Sequence, residues 1–387
     1  MTNKKSAREL EQIQQNLEYS NKGLRVFIAD LLPFSEISDE QMKDRMEEVE
    51  NLVNTYGWVV ILKHIQKKSE PDYKTYIWSW KLEEIIHEMK SEKANILILG
   101  NILKTHQIYN INESLRDIWA KAWDRVDLIL KIFERHAKSA EAKLQIELAS
   151  IRHMWPRIFG MWMELSKQWW GIWNRWKWET NTEIMKRHLR RKEITIKKDL
   201  EKYKKVRKLH RDSRTKKWLS TIWIVGYTNA WKSSLLNSLT TKKVLAEDKL
   251  FATLWTSVGK MWIETDDYRW KEILLNDTIW FIKDLPPDLI DAFSSTLEDS
   301  IESNLLFHVV DSSDPKIYEK IKIVDDILDD IWANQERLYI FNKIDKISEK
   351  ELKKIKKEFS YLSPIFISTY SKLWLDDLKI KIYNYFQ

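Results

Sequence analysis

Residues 226–233 of the chain read Gly226-Tyr227-Thr228-Asn229-Ala230-Trp231-Lys232-Ser233. This stretch matches the phosphate-binding loop G-x-x-x-x-G-K-[ST] at every fixed position except the second glycine, where Trp231 stands. A β-branched run at 222–225 precedes the loop and a helical run at 234–239 follows it, which is the strand, loop and helix order that the motif requires. An indole at position 231 would fill the space of a β-phosphate, because the backbone must approach the phosphate closely there.

The composition repeats this misfit along the whole chain. There are 7 glycines and 21 tryptophans in 387 residues, whereas average usage predicts roughly 27 glycines. Tryptophans also cluster at residues 169–178, where no packed core needs so many indoles. We therefore interpret most tryptophans as glycines, which arise if the source organism reads UGA codons as glycine. The alternative is a genuinely tryptophan-rich protein whose basic, aromatic 169–178 stretch stacks on single-stranded nucleic acid.

Length and composition limit the class of protein. A chain of 387 residues can form two or three domains with cores of their own. The absence of cysteine excludes disulfides, thiol nucleophiles and cysteine metal sites, and the eight histidines show no metal-ligand spacing along the sequence. Residues 1–20 are polar, and no apolar run reaches the roughly 18 residues of a membrane span. We expect a soluble, cytoplasmic protein that does not contact membranes.

The positive charge lies in one segment. The chain has a net charge of +7, and residues 186–217 contain 16 Lys/Arg against 4 Asp/Glu. Such a run can be a solvated helix face, but its charge density is typical of segments that neutralise phosphates. We therefore favour a polyanionic partner for this basic arm, residues 186–217.

Three domains are predicted along the chain, at residues 1–125, 126–217 and 218–387. In the first, strand patterns at 59–62 and 95–99 and helix patterns at 39–54 and 82–90 indicate a small α/β domain with a parallel sheet. The first domain also contains Tyr76-Ile77-Trp78-Ser79-Trp80-Lys81, which reads Tyr-Ile-Gly-Ser-Gly-Lys with glycine restored. We interpret it as a turn that opens a helix, with an anion site as the alternative.

The second and third domains have different patterns. In the second, apolar residues spaced three and four apart predict an antiparallel helical hairpin, an antiparallel coiled coil, with a glycine-rich type of loop at 169–178. In the third, strand patterns follow the phosphate loop at 272–276, 305–310, 338–341 and 364–367, with helical stretches between them. This order predicts a doubly wound P-loop domain.

Two further motifs accompany the loop in the third domain. Asp277-Thr278-Ile279-Trp280 follows a strand and becomes D-x-x-G with glycine at 280. Asn342-Lys343-Ile344-Asp345 is an N-K-x-D tetrad, whose carboxylate can accept hydrogen bonds from the guanine N1–H and 2-amino groups. Lys232 is then expected to reach the β- and γ-phosphates, while Ser233 and Asp277 bind Mg²⁺. These motifs predict GTP and GDP as ligands and disfavour ATP.

With these motifs the chain resembles the HflX family of ribosome-associated P-loop GTPases over nearly its whole length. The resemblance rests on five stretches: 76–81, 160–180, 226–233, 251–254 and 277–285. The family commonly has a true tryptophan after Gly-Met, so Trp162 is interpreted as genuine, whereas Trp123 and Trp155 stay undecided. Lys177 stands where the family usually has proline, and the chain ends without the C-terminal extension of some members.

The resemblance also implies roles for residues that the motifs do not include. Thr253 matches the switch threonine that closes on Mg²⁺ and the γ-phosphate, with Thr256 and Ser257 as alternatives. The implied switch contacts around it are Phe251, Ala252, Leu254 and Trp255, and Ser368 and Thr369 match the loop that backs the guanine base. Residue 280 joins Lys232 and Thr253 in the catalytic set. Phe281 stands where many GTPases have a water-orienting glutamine, which implies slow intrinsic hydrolysis and stimulation by a partner.

The function that follows from the resemblance is that of a monomeric, Mg²⁺-dependent GTPase on the large ribosomal subunit. It would act on stalled or idle ribosomes, in splitting, rescue or biogenesis, and would contact ribosomal RNA through the basic arm and the 169–178 loop. The alternative is a catalytically inactive, nucleotide-free RNA- or ribosome-binding module. That alternative requires Trp231 and Trp280 to be genuine.

Overall fold

The computed structural model has a mixed α/β architecture. It describes residues 25–32, 39–137, 139–168, 172–216, 220–228, 230–240, 257–264, 270–277 and 303–386. Contacts divide the chain into two compact units, residues 1–135 with 147–198 and residues 136–146 with 199–387. The three domain boundaries predicted from the sequence do not coincide with these units, and they stay a prediction.

The first unit contains a four-stranded sheet in the order β2-β1-β3-β4, and all neighbouring strands are parallel. Its strands are β1 (Arg25–Leu32), β2 (Val59–Lys67), β3 (Ile96–Leu99) and β4 (Lys121–Trp123). The helices that alternate with them are α1 (Asp39–Tyr56), α2 (Ser79–Ser91), α3 (Thr105–Leu115) and α4 (Arg125–His136). The predicted parallel α/β arrangement is therefore confirmed, and α2 begins inside the 76–81 stretch as expected.

The helical hairpin consists of α5 (Ala140–Gln168) and α6 (Ile172–Lys216). Two ion pairs join the helices: Lys192 contacts Glu147 at 2.7 Å, and Arg207 contacts Glu141. The partner in α6 lies later in the chain when the partner in α5 lies earlier, so the two helices are antiparallel. The predicted antiparallel hairpin is thus present. The predicted loop at 169–178 is wrong in its extent, because residues 172–178 belong to α6. Tryptophan is tolerated in a helix, whereas each glycine would cost about 1 kcal/mol there.

The second unit contains a six-stranded sheet in the order β10-β9-β8-β5-β7-β6. Its strands are β5 (Ser220–Val225), β6 (Ser257–Glu264), β7 (Trp270–Asp277), β8 (Leu305–Asp311), β9 (Arg337–Asn342) and β10 (Ile365–Phe366). The described helices are α7 (Lys232–Leu239), α8 (Ile317–Asp330), α9 (Glu349–Glu358) and α10 (Leu375–Phe386). All neighbouring strands are parallel except β6, which runs antiparallel to β7. The central parallel strands are almost wholly buried, as a sheet covered on both faces requires.

Several tryptophans occupy backbone positions that suit glycine. Of the nine non-glycine residues with positive φ in the described part of the chain, four are Trp119, Trp231, Trp332 and Trp374. At Trp332 the next residue, Ala333, donates to the Leu328 carbonyl across the end of α8, and Trp332 itself donates to Asp329. This is the Schellman arrangement, whose left-handed residue is usually glycine. Trp119 has the same pair of bonds, and the two indoles are 91% and 77% exposed. The geometry favours glycine at these positions.

Among the described helices, none combines the length and the apolar character needed to cross a membrane.

Candidate nucleotide site

The phosphate loop connects β5 to α7 at the carboxyl edge of the parallel strands. Gly226 begins it with a φ of 151°, and a Cβ at this position would lie 2.3 Å from the Val309 carbonyl oxygen of β8. Only glycine fits such a close approach of two backbones. The first glycine of the motif therefore has a structural reason that is visible in the fold, and it directs the loop towards the N-terminus of α7.

Lys232 is fully buried at the start of α7. Its Nζ donates to the loop carbonyls of Gly226 and Tyr227, at 2.6 and 2.8 Å. Burial lowers the pKa of Lys232 to about 7, and the charge of Asp277 partly opposes this shift. A phosphate group beside the ammonium would favour its charged form. The side chain is therefore poised to exchange carbonyl partners for phosphate oxygens.

The two described residues that the sequence assigns to Mg²⁺ lie in direct contact. Ser233 Oγ donates to Asp277 Oδ2 at 2.6 Å, across 44 residues of sequence, and both side chains are buried. Ser233 comes from the first turn of α7 and Asp277 ends β7, which pairs with β5 in the sheet. One hydroxyl and one carboxylate oxygen at this distance suit a small, hard cation that takes oxygen ligands.

Asn342 connects the N-K-x-D tetrad to two other loops. Its Nδ2 donates to the Ala230 carbonyl at 3.3 Å, and its Oδ1 accepts from the Thr369 backbone N–H at 3.0 Å. Ser368 Oγ in turn donates to a carboxylate oxygen of Asp345. The structure therefore gathers the phosphate loop, the tetrad and the 368–369 loop around one position. Of the two side chains in the last contact, Asp345 is the exposed one.

Asp311 belongs to this cluster but was missed by the sequence analysis. Lys343 Nζ donates to Asp311 Oδ2 at 2.6 Å, and the lysine side chain is only 4% exposed. Asp311 Oδ1 also accepts from the Ser313 N–H and hydroxyl, which fixes the carboxylate. The available signal was an aspartate directly after the predicted strand 305–310, at the same sheet edge as the tetrad. Asp311 thus orients the lysine of the N-K-x-D motif.

Two indoles stand out in and beside the phosphate loop. Trp231 has left-handed backbone angles, φ 60° and ψ 39°, and its ring lies 5.2 Å from Lys343 Nζ and 5.4 Å from Lys346 Nζ. The indole therefore occupies space between the phosphate loop and the tetrad. Trp223 in β5 is fully buried, and its ring N–H has no hydrogen-bond partner among the described residues. Buried donors are rarely left unpaired, so neither position favours an indole.

Part of the predicted site lies outside the described residues. This part consists of Asn229, Phe251, Ala252, Thr253, Leu254, Trp255, Thr256, Thr278, Ile279, Trp280 and Phe281. Of the alternatives for the switch residue, Ser257 begins β6 and pairs with Asp277 in the β6–β7 ladder.

A phosphate loop at a parallel sheet edge, with an N-K-x-D tetrad beside it, defines a P-loop GTPase domain. Three family models match the chain in this order. Residues 43–134 match the GTP-binding GTPase N-terminal domain and residues 136–214 the GTP-binding GTPase middle region. Residues 221–343 match a model described as 50S ribosome-binding GTPase.

Individual relatives agree with these matches. The chain is 39% identical to GTPase HflX of Caldanaerobacter subterraneus over 310 residues, 80% of this chain and 71% of the relative. It is 35% identical to GTPase HflX of Escherichia coli over 314 residues, 81% and 72% of the two chains. A solved structure titled "crystal structure of SsGBP and GDP complex" is similar at 29% identity and a TM-score of 0.53, covering 93% of this chain and 98% of the other.

The chain belongs to the HflX GTPase family. It is accordingly a guanine-nucleotide-binding protein and a GTP-hydrolysing enzyme by class.

Proposed function

We propose that this chain is a Mg²⁺-dependent GTPase that associates with the large ribosomal subunit and acts on stalled or idle ribosomes, in splitting, rescue or biogenesis. The observation that carries the nucleotide part is the meeting of Lys232, Ser233 and Asp277 at one sheet edge, with the serine hydroxyl 2.6 Å from the carboxylate. The ribosomal part is supported by the family and by the charge of the basic arm.

Each group at the nucleotide site has a definite task in this proposal. Lys232 contacts the β- and γ-phosphates and offsets the charge that develops during transfer, while Ser233 and Asp277 hold Mg²⁺. Thr253 closes on the ion, and the backbone N–H of residue 280 reaches the γ-phosphate. The base lies against Asn342 and Asp345, backed by Ser368 and Thr369. Positions 231 and 280 are glycine in this proposal, so that the phosphates can approach the backbone.

Hydrolysis depends on the ribosome in this proposal. Phe281 has no polar group that could orient an attacking water, so the isolated protein turns over slowly. The large subunit supplies a missing group or orders the switch segment around Thr253. Single-turnover hydrolysis with and without subunits tests this coupling, and equal rates would contradict it.

The basic arm makes the phosphate contacts. Its outward positions in α6 are exposed, among them Arg190, Arg191, Lys197 and Lys198. Lys197 is paired with Glu193 at 2.7 Å, but the arm keeps a large excess of positive charge. RNA binding through such a surface releases counterions, so the affinity falls steeply with salt.

Reversing the charge at Arg190, Arg191, Lys197 and Lys198 tests the interface. We expect weaker cosedimentation with large subunits and a shallower salt dependence, with a loss of roughly 0.7–0.9 in the log–log slope for each phosphate contact removed. Intrinsic GTP hydrolysis should hardly change. The matched control reverses four exposed lysines of α9, Lys350, Lys353, Lys354 and Lys357, which alters net charge equally. If both variants lose the same slope, the arm has no special role.

A further inference from the structure

Among the described residues, two groups of side chains that could hold a metal ion lie in the first unit, which does not contain the nucleotide site. They are His64 with Glu84 and Glu88, and Asp124 with Asp127 and His153. Within each group the ligand atoms lie within 4.8 Å of one another. No local pattern in the sequence indicates the first group, because His64 lies in β2 and the two glutamates lie in α2, about twenty residues further on.

The second group already contains a fixed cation. The Arg157 guanidinium donates to Asp127 at 2.6 and 2.8 Å and also contacts Asp124. His153 Nε2 adds a further contact with Asp127 at 3.2 Å. The positively charged arginine lies between the two carboxylates, where a metal ion would have to bind, and it would repel that ion. This group is therefore an ion-pair network and is not available for a metal.

The first group lacks such a cation at its centre. The His64 side chain is 10% exposed, and its Nε2 lies 3.0 Å from Glu88 Oε2. Glu84 and Glu88 are four residues apart on α2, so both carboxylates project from one face of the helix. An imidazole nitrogen and a carboxylate oxygen therefore already lie at about the separation of two ligands on one ion, with a second carboxylate beside them.

We propose that His64, Glu84 and Glu88 form a binding site for one Zn²⁺ ion. An imidazole nitrogen and carboxylate oxygens are ligands that Zn²⁺ accepts, whereas Mg²⁺ and Ca²⁺ prefer oxygen alone. Zn–ligand distances of about 2.0–2.2 Å require ligand atoms roughly 3.3 Å apart. Rotation of the glutamates can close the observed spacing, since their side chains are 43% and 35% exposed. The ion would join the edge strand β2 to α2 and leave a fourth position for water.

Lys81 would compete with a metal ion for the Glu84 carboxylate. Its Nζ lies 2.8 Å from Glu84 Oε1, one turn earlier on α2. A metal ion must displace this ammonium before Glu84 can bind it. Replacing the lysine with an uncharged residue of similar length should therefore tighten Zn²⁺ binding, while loss of a ligand should weaken it.

The experiment is calorimetric titration of the metal-stripped full chain with Zn²⁺ in excess Mg²⁺, with Co²⁺ absorption as a second readout. We expect one equivalent to bind, at least tenfold weaker binding in Glu88→Gln, loss in His64→Gln, and severalfold tighter binding in Lys81→Met. The control is His106→Gln, which removes a half-buried histidine of the same unit.

Absence of saturable Zn²⁺ binding in the unaltered chain would overturn the site, as would equal affinity in the chain and in Glu88→Gln. Circular dichroism of each metal-free variant shows whether it is folded. If the buried His64 does not tolerate replacement, Glu88→Gln and Lys81→Met decide alone, since their opposite shifts cannot come from misfolding.

Discussion

The parallel strands of the two sheets lead into different surroundings at their carboxyl edges. In the first unit, the buried Asp30 of β1 accepts from Arg45 Nε, from the Tyr76 hydroxyl and from the Leu31 N–H, all at 2.8 Å. Gly100 follows β3, and a Cβ there would lie 2.4 Å from Asp30 Oδ2. This edge is closed by its own side chains.

At the carboxyl edge of the second sheet, the charged groups of the phosphate site have partners that a ligand can replace. Lys232 donates to the loop carbonyls of Gly226 and Tyr227, and Ser233 donates to Asp277. Carbonyl oxygens are weaker partners for an ammonium than a phosphate, because a phosphate adds the attraction of its full negative charge. Similar parallel edges therefore differ in what satisfies their charged groups, and the GTPase edge is the one whose partners a ligand can replace. We call it the open edge, and the edge at Asp30 the closed edge.

The largest expected effect concerns position 231, where the open edge is obstructed. Trp231→Gly with Trp280→Gly should raise GTP and GDP affinity from barely measurable to readily saturable. Relief of the left-handed backbone is worth about 1–2 kcal/mol in folding stability. Removal of the indole from the phosphate position should raise the affinity at least roughly tenfold. Fluorescent guanine nucleotide binding to both forms measures it.

Two further variants at the same edge serve as controls for nucleotide turnover. In the glycine form, Lys232→Ala and Ser233→Ala should abolish turnover, because one contacts the γ-phosphate and the other Mg²⁺. The gene provides an independent check, since UGG codons at 231 and 280 would mean that the indoles are genuine. Unchanged affinity in the glycine form would point to the nucleotide-free alternative.

A smaller effect is expected for base selection at the same edge. Asp345→Asn in the glycine form exchanges a hydrogen-bond acceptor for a donor and should shift preference from GTP to xanthosine triphosphate. Loss of hydrogen bonds to a charged group predicts a change of about 10–100-fold. Competition between the two nucleotides measures the ratio, and Asp314→Asn serves as a control near the loop. A GTP preference that survives the exchange would remove Asp345 from base recognition.

The sequence predicted the open edge better than the closed one, for a physical reason. The phosphate loop, Asp277 and the N-K-x-D tetrad are short motifs whose local order fixes their chemistry, and the fold places them together. Asp30 and Tyr76 lie 46 residues apart and carry no local pattern, so only the fold shows that they meet. The sequence patterns also did not indicate the strand β1. They did not indicate β6 either, which runs antiparallel to β7. Asp311 shows the same limit inside the site, because its role depends on contact with Lys343.

Breaking the closed edge should affect stability and leave nucleotide chemistry unchanged. Asp30→Ala removes the carboxylate that accepts hydrogen bonds from Arg45 Nε and from the Tyr76 hydroxyl. Burial and the charge of Asp30 raise the pKa of Tyr76, which shows how strongly the two groups interact. We expect the free energy of unfolding to fall by about 2–4 kcal/mol. Thermal melting measures the loss, and Asp44→Ala on α1 is the control. Impaired GTP turnover in a folded Asp30→Ala would mean that the two edges are coupled.

The smallest expected effect is a pH dependence at the ion-pair network of the first unit. Burial opposes the charge of His153, but hydrogen bonds and attraction from Asp124 and Asp127 outweigh it and raise the pKa of His153 to about 9. A raised pKa means that protonation stabilises the folded chain fully below pH 6.5, and that this contribution fades as the pH rises through about 9. His153→Gln should lower stability at pH 6 by on the order of 1–2 kcal/mol, after allowance for solvent screening, and should flatten the loss between pH 6.5 and 9. Melting temperatures across that range decide it, with the half-buried His106→Gln as the reference. A His153→Gln profile that still falls as steeply as that of the unaltered chain would assign the pH dependence to other groups and leave Arg157 as the cation that matters at this network.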